Sequence, residues 1–249
     1  MSASMSAAMS AFMSVFAGLV ERLADLLQPL FHASAAAAAI VLFTALVRLL
    51  VHPLSRAAAR GQQARARLQP KIAELRKKHA KDPEKLRKAV LELHAEERVS
   101  PLSGCLPSLL QAPAFFLLYH LFSSTTIGGR SNGLLSHTLF AAPLGGRWAD
   151  ALGGDGGLLG PAGLVYLGLF TLVTAVAAFN YRRTKRMMAD TPVPVGDGEQ
   201  PPGLGAVTKA MPFLSFFTLV SVAVVPLAAA LYVVTSTTWS AVERAALYR

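Results

Sequence analysis

The chain has little charge and almost no cysteine. Asp, Glu, Lys and Arg make up 15% of its 249 residues against 53% hydrophobic residues, and the mean hydropathy is +0.44. Soluble domains carry about a quarter charged residues. Here the apolar positions also come in blocks rather than in amphipathic alternation, which excludes an ordinary soluble domain. The single cysteine, Cys105, excludes an intramolecular disulfide and any multi-cysteine metal site, and reads as a small packing residue. No Lys or Arg precedes Arg22, so the positive leading region of a cleaved signal peptide is missing. The long apolar blocks contain no Asp, Glu or Lys, which disfavours a proton-coupled carrier, since such carriers rely on intramembrane carboxylates or a histidine relay. Ser103 and Ser108 share a helix with His120 at depths unsuited to a nucleophile and its base. Neither metal-ligand spacing nor a phosphate-cradling glycine loop occurs, so no metal and no cofactor is expected.

What is present is a series of membrane-length apolar stretches. Ser34 to Pro53 contains one charged residue of the Asp, Glu, Lys or Arg type, Arg48, and as a helix its roughly twenty residues cover about 30 Å, the thickness of a hydrocarbon core. A guanidinium there is costly unless it faces protein, water or a ligand, which makes Arg48 the first functional candidate. Its nearness to Pro53 leaves a second reading open, in which the long side chain simply snorkels to the nearer interface.

The spacing predicts an all-α, polytopic membrane protein with five transmembrane helices, a cytoplasmic helical hairpin and an N-terminal interfacial helix. In residues 1–33 the positions Phe12, Phe16, Leu19, Leu23, Leu26, Leu27 and Leu30 recur at three and four with Glu21, Arg22 and Asp25 between them, the pattern of an amphipathic helix in the interface plane; an extra span is the alternative. The first span, 34–53, leads into a basic segment, 54–100. Its Leu68, Ile72, Leu75 and His79 line one helix, which Pro70 is expected to kink or delay. Asp82 as cap and Pro83 at the first helical position open a second helix with Leu86, Val90 and Leu93. The second span, 101–122, contains Pro101, Pro107 and Pro113 and one strongly polar residue, Gln111. An external Gly-rich loop, 123–160, follows, with the apolar piece Leu134 to Leu144 placed at the outer interface. The third span is 161–181 and the next cytoplasmic loop 182–209. The uncharged run from Ala210 to Val242 is too long for one crossing and carries Pro226 near its middle, so it divides into spans 210–225 and 227–242 before a tail, 243–249.

Charge supplies the orientation. Between Arg56 and Arg98 there are thirteen Lys or Arg against six acidic residues, and twenty of the twenty-four bases fall on the side of that segment. By the positive-inside rule that side is cytoplasmic, with the N-terminus outside and the C-terminus inside. The net charge of +10 is then a consequence of orientation rather than a nucleic-acid surface.

The runs VRLLVHPLSR, LQPKIAELRKKH and RVSPLSGCLPSLLQAPAFFLLYHLF, with the spacing between them, resemble the YidC/Oxa/Alb membrane protein insertases over Ala38 to Glu243. The resemblance implies a plasma-membrane protein of bacterial YidC type and a groove open to cytoplasm and lipid but closed toward the outside. Arg48 matches the groove arginine of that family, Gln111 its Gln before x-Pro, and Asn180 a position where Gln or Thr is frequent; Thr44, Thr235, Ser236 and Thr238 could add hydroxyls, or serve as ordinary interhelical contacts. It further implies an insertase, not an enzyme, whose groove arginine attracts polar or acidic tails of newly made membrane proteins as their apolar segments enter the lipid bilayer. A chaperone acting beside the Sec translocon is the alternative, and a channel or small-solute carrier a more distant one. The sequence departs from the family pattern in having Pro226 without a following turn glycine, Val233 after Tyr232, and Ser100 for asparagine. It also stops at Arg249, without the long basic tail by which some members hold ribosomes, so ribosome anchoring through such a tail is not expected.

Overall fold

The structure is a computed structural model that describes residues 2–80, 82–97, 99, 106–127, 129–154, 156–190 and 211–247. The side chains of residues 2–10, 12, 106–111, 113, 114, 187, 189, 190 and 211 lie outside that description, as does all of Cys105. The helices are α1 (Ser2–Phe31), α2 (Ala35–Lys78), α3 (Pro83–Glu96), α4 (Leu106–Ser123), α5 (Trp148–Gly153), α6 (Pro161–Asp190), α7 (Phe217–Val224) and α8 (Leu227–Leu247). Two small antiparallel ladders, β1 (Thr126–Ile127) with β2 (Arg130–Ser131) and β3 (Thr138–Leu139) with β4 (Ala142–Pro143), interrupt an otherwise helical chain.

Helix α8 is the hub. Every residue from Leu227 to Val234 is buried, and the helix packs on α2, α4, α6 and α7. A segment apolar on all faces belongs inside a bundle, and the run Ala228, Ala229, Ala230 lets neighbouring backbones approach closely. The outward surface is also apolar, with Leu50, Phe116, Leu164, Phe217 and Val224 all well exposed. A soluble monomer rarely shows so much contiguous apolar surface. Two stretches, Met13–Lys78 and Pro161–Arg186, are long and apolar enough to cross a membrane, and Pro212–Val224 is a shorter apolar helix.

Helix α1 turns back along α2 after His32, whose φ of 48° is the left-handed conformation that ends helices. Phe16 meets Phe43 edge-on with ring centroids 6.0 Å apart. The apolar face expected for this segment is buried in part: Phe16, Leu23 and Leu27 pack against the core at its margin. Met13, Ala17, Val20 and Ala24 face the bundle, while Leu26 and Leu30 are each 75% exposed. Ala36, Ala37 and Ala39 of α2 are buried in the same cluster, and alanines on a helix face let a neighbouring helix approach closely.

Helix α2 runs unbroken for 44 residues, about 66 Å at the helical rise, from the apolar stretch into the basic arm. The expectation that Pro70 delays a separate helix is therefore corrected, since both Pro53 and Pro70 lie inside α2. Each proline removes one i to i−4 bond, and the helix resumes on both sides. Leu68 and Ile72 are buried against α3. Asp82 caps α3 by accepting the Lys85 backbone N–H at 3.0 Å, with Pro83 in the first turn. That bond, and the nearby Lys85 side chain, hold the Asp82 carboxyl below the usual carboxylate range. Across the hairpin Lys71 donates to Glu97, which raises the ammonium above its ordinary value.

The segment between α4 and α6 contributes to the core, with the apolar piece Leu134 to Leu144 packed against the helices. Leu134, Ala142 and Leu144 are essentially inaccessible. Asn132 fixes the segment to α4, its amide donating to the Leu121 carbonyl at 2.8 Å and the Ser124 carbonyl at 3.0 Å. The start of α8 is capped by the same segment: Leu227 N–H donates to the Gly146 carbonyl at 2.8 Å and Ala228 N–H to the Leu144 carbonyl at 2.9 Å. The first N–H groups of a helix have no partner within it, so these two carbonyls satisfy donors that would otherwise be orphaned next to Pro226. Tyr166 O–H donates to the Gly146 carbonyl as well, and Trp148 packs tilted against Tyr166 and edge-on against Phe170. The end of the bundle away from the basic hairpin is thus filled with packed side chains.

Candidate functional site

Arg48 lies on α2 one turn before His52, and its guanidinium crosses to α8, where Nε donates to the Ser236 hydroxyl at 3.0 Å and a terminal nitrogen reaches the same oxygen. Ser236 is 1% exposed and Arg48 half-buried. The side chain is therefore turned into the bundle, not stretched along α2 toward an interface. Around it Thr44, Val47, Val51, Phe115, Leu118 and Tyr232 wall a recess of about 290 Å³ between α2, α4 and α8, with free space for about one water molecule. Tyr232 is buried one turn before Ser236 and directs its O–H at the Phe115 carbonyl, 3.4 Å away. Val47, Val51 and Leu118 also line a wider cleft of about 670 Å³ between α1, α2 and α4, whose other walls include Met13, Phe16, Leu50 and Leu121. That cleft is apolar throughout. A cation in a narrow, mostly apolar recess thus adjoins an apolar trough.

The sequence candidates divide. Arg48 and Ser236 are brought into direct contact, and Thr44 lines the same recess, although its hydroxyl donates to the Ile40 carbonyl of its own helix at 2.7 Å. Thr235 is half-buried on α8 beside Ser236 in sequence but outside the recess, and Asn180 is half-buried on α6, also outside it. The Gln111 side chain lies outside the described residues. Thr238 Oγ1 and Trp239 Nε1, just beyond Ser236 on α8, are buried without a hydrogen-bond partner among the described residues. Sequence reading missed Tyr232, Phe115 and the pair His52 and Glu243, in which His52 Nδ1 meets Glu243 Oε1. A helical signal for them exists. Tyr232 and Glu243 stand at i−4 and i+7 from Ser236, and His52 at i+4 from Arg48, all on the contact faces. Among the described residues no group of three or more His, Cys, Asp or Glu could hold a metal ion.

A family model described as 60Kd inner membrane protein matches residues 27–249, all of the bundle from the end of α1 onward. The chain belongs to that family, the YidC/Oxa/Alb group. Relatives named "Membrane protein insertase YidC" occur in Clostridium perfringens, 45% identical over 87 residues, and in Magnetococcus marinus, 46% identical over 81 residues. A third, from Maridesulfovibrio salexigens, is 42% identical over 87 residues. The alignments cover 35%, 32% and 35% of this chain, and 37%, 15% and 16% of the respective relatives. The chain thus aligns with well under half the length of the relatives it matches. As a member of the 60Kd inner membrane family it combines membrane-length apolar helices with relatives named for insertion rather than for a catalysed reaction.

Proposed function

We propose that the chain is a membrane protein insertase of a bacterial plasma membrane, working on newly made membrane proteins without covalent chemistry. The observation that carries the reading is the placement of Arg48: a guanidinium held between α2 and α8 by one hydroxyl, at the edge of an apolar cleft. An acidic or polar tail can replace Ser236 as the partner of Arg48, and the attraction between unit charges is far larger in such surroundings than in water. The apolar segment that follows the tail finds the trough between α1, α2 and α4, and beyond it the lipid. The tail then has less hydrocarbon to cross, which lowers the barrier to translocation.

The orientation follows from charge, with the basic hairpin in the cytoplasm and the sealed end outside. A route for ions or solutes finds no support, since Leu134, Ala142, Leu144 and the start of α8 fill that end. The Sec translocon is a candidate partner. The test is reconstitution. Arg48→Ala in vesicles holding only this protein is expected to reduce insertion of a short single-span substrate with an acidic tail at least tenfold, while Arg48→Lys retains part of the activity. Equal insertion by wild type and Arg48→Ala would remove the reading. Insertion that appears only when a translocon is added would favour the chaperone role instead.

A further inference from the structure

We propose that Glu243 is a charge filter on the route to Arg48, which sets how many acidic residues a substrate tail can carry; the inference rests on the insertase reading above. Glu243 follows Ser236 by seven residues on α8, which returns it to the same face about 10 Å further along the axis. His52 follows Arg48 by four on α2, about 6 Å further along. The two meet through Nδ1 and Oε1, and Gln63 Nε2 donates to the Leu247 carbonyl at 3.0 Å still further on. All of this lies on the hairpin side of the Arg48 and Ser236 contact. A tail arriving from that side passes Glu243 before it reaches Arg48.

The carboxylate is unusual in its burial. The Glu243 side chain is 9% exposed, against 36% for His52. Surface pairs that merely tie two helices together keep both partners in water, where they contribute little. Here the acid is withdrawn from solvent, while Arg244, next to it on α8, is exposed. Charges in such a place are weakly screened. Glu243 thus lowers the positive potential around Arg48 and repels a second or third carboxylate that follows the first. One acid on a tail gains from Arg48, and each further acid meets Glu243. A polar but weakly acidic tail is the substrate such an arrangement favours.

The test uses the full chain in vesicles and a set of single-span substrates whose tails carry zero, one, two or three aspartates. The quantity read is the ratio of insertion for the three-aspartate tail to that for the zero-aspartate tail. Glu243→Gln is expected to raise the ratio about tenfold, the change in occupancy for like unit charges about 10 Å apart at an effective dielectric near 20. Glu243→Asp, which keeps the charge, is expected to stay within about twofold of wild type. If Glu243→Gln accumulates poorly, the double variant His52→Gln with Glu243→Gln places two mutually bonding amides at the rung and reads the same ratio. A ratio unchanged by removal of the charge overturns the filter and leaves Glu243 as a tie between α2 and α8. Failure of the wild type to insert any tail is a different result, and overturns the insertase reading and the filter with it.

Discussion

Asn132 joins the cap segment to the bundle with three bonds from one side chain, and its removal has a calculable cost. Its amide nitrogen donates to the carbonyls of Leu121 and Ser124, and its oxygen accepts the Leu134 N–H at 3.3 Å. Leu121 and Leu134 are each 1% exposed, so in Asn132→Ala the Leu121 carbonyl and Leu134 N–H are cut off from both protein and water. Ser124, half-buried, can turn to solvent. Two buried groups left unsatisfied cost about 1–3 kcal/mol each, so the expected loss is about 2–6 kcal/mol, a large part of a typical stability of about 5–15 kcal/mol. Asn132→Asp should be no better, because it keeps the acceptor for Leu134 while aiming a carboxylate at two carbonyl oxygens. Trp148, packed on Tyr166 and Phe170 in this same cap, supplies the signal: its fluorescence, in a Trp239→Phe background, follows chemical unfolding in detergent. Asn132→Ala within about 0.5 kcal/mol of the parent would refute the account of the cap as an anchored plug.

Two further expectations concern local geometry. At Gly163, in the first turn of α6, an added Cβ would sit 2.4 Å from the Gly157 and Leu158 carbonyl oxygens. Both are backbone atoms, so Gly163→Ala should destabilise by about 1–3 kcal/mol. Gly168→Ala, with nothing within 4 Å of the new Cβ, should be neutral or gain up to about 1 kcal/mol from helix propensity; thermal unfolding of the pair separates the cases. The depressed Asp82 carboxyl stabilises α3 at pH above the ordinary carboxylate range, and that contribution is lost as pH falls through its lowered value. Protection of the Lys85 and Leu86 amides, taken relative to the intrinsic exchange rate at each pH, should therefore fall on acidification, and in Asp82→Asn, whose neutral oxygen still accepts the bond, this pH dependence of protection should vanish.

Local rules made part of the architecture legible. The apolar stretches emerge as helices because a membrane-length run without charge has few other ways to satisfy its backbone. Asp82 and Pro83 mark a helix start through chemistry confined to four residues, and Leu68 and Ile72 fall on the buried face of their helix because helical periodicity alone places them. Arg48 stands out for the cost of its charge. Other features depend on partners distant in sequence. The face that α1 buries is turned from the leucine stripe toward Met13, Ala17, Val20 and Ala24, with Phe16, Leu23 and Leu27 at its margin, and only the neighbouring α2 decides that turn. The glycine-rich stretch read as a loop because its strands are two residues long, below what a pattern can reveal, and its leucines are buried only when helices distant in sequence close around them.

By itself, the sequence determined that this is a helical membrane protein with a lone cation in its first long apolar run and a basic hairpin beyond it, because composition, hydropathy and capping act over a few turns. Only the tertiary structure decided that Arg48 turns inward to Ser236 and shares a wall with an apolar cleft, that Glu243 is drawn out of water beside His52, and that the carbonyls of Leu144 and Gly146 complete α8. These contacts join residues up to 191 positions apart in the chain. Such pairings are fixed by which helices lie side by side, and no local pattern encodes that adjacency.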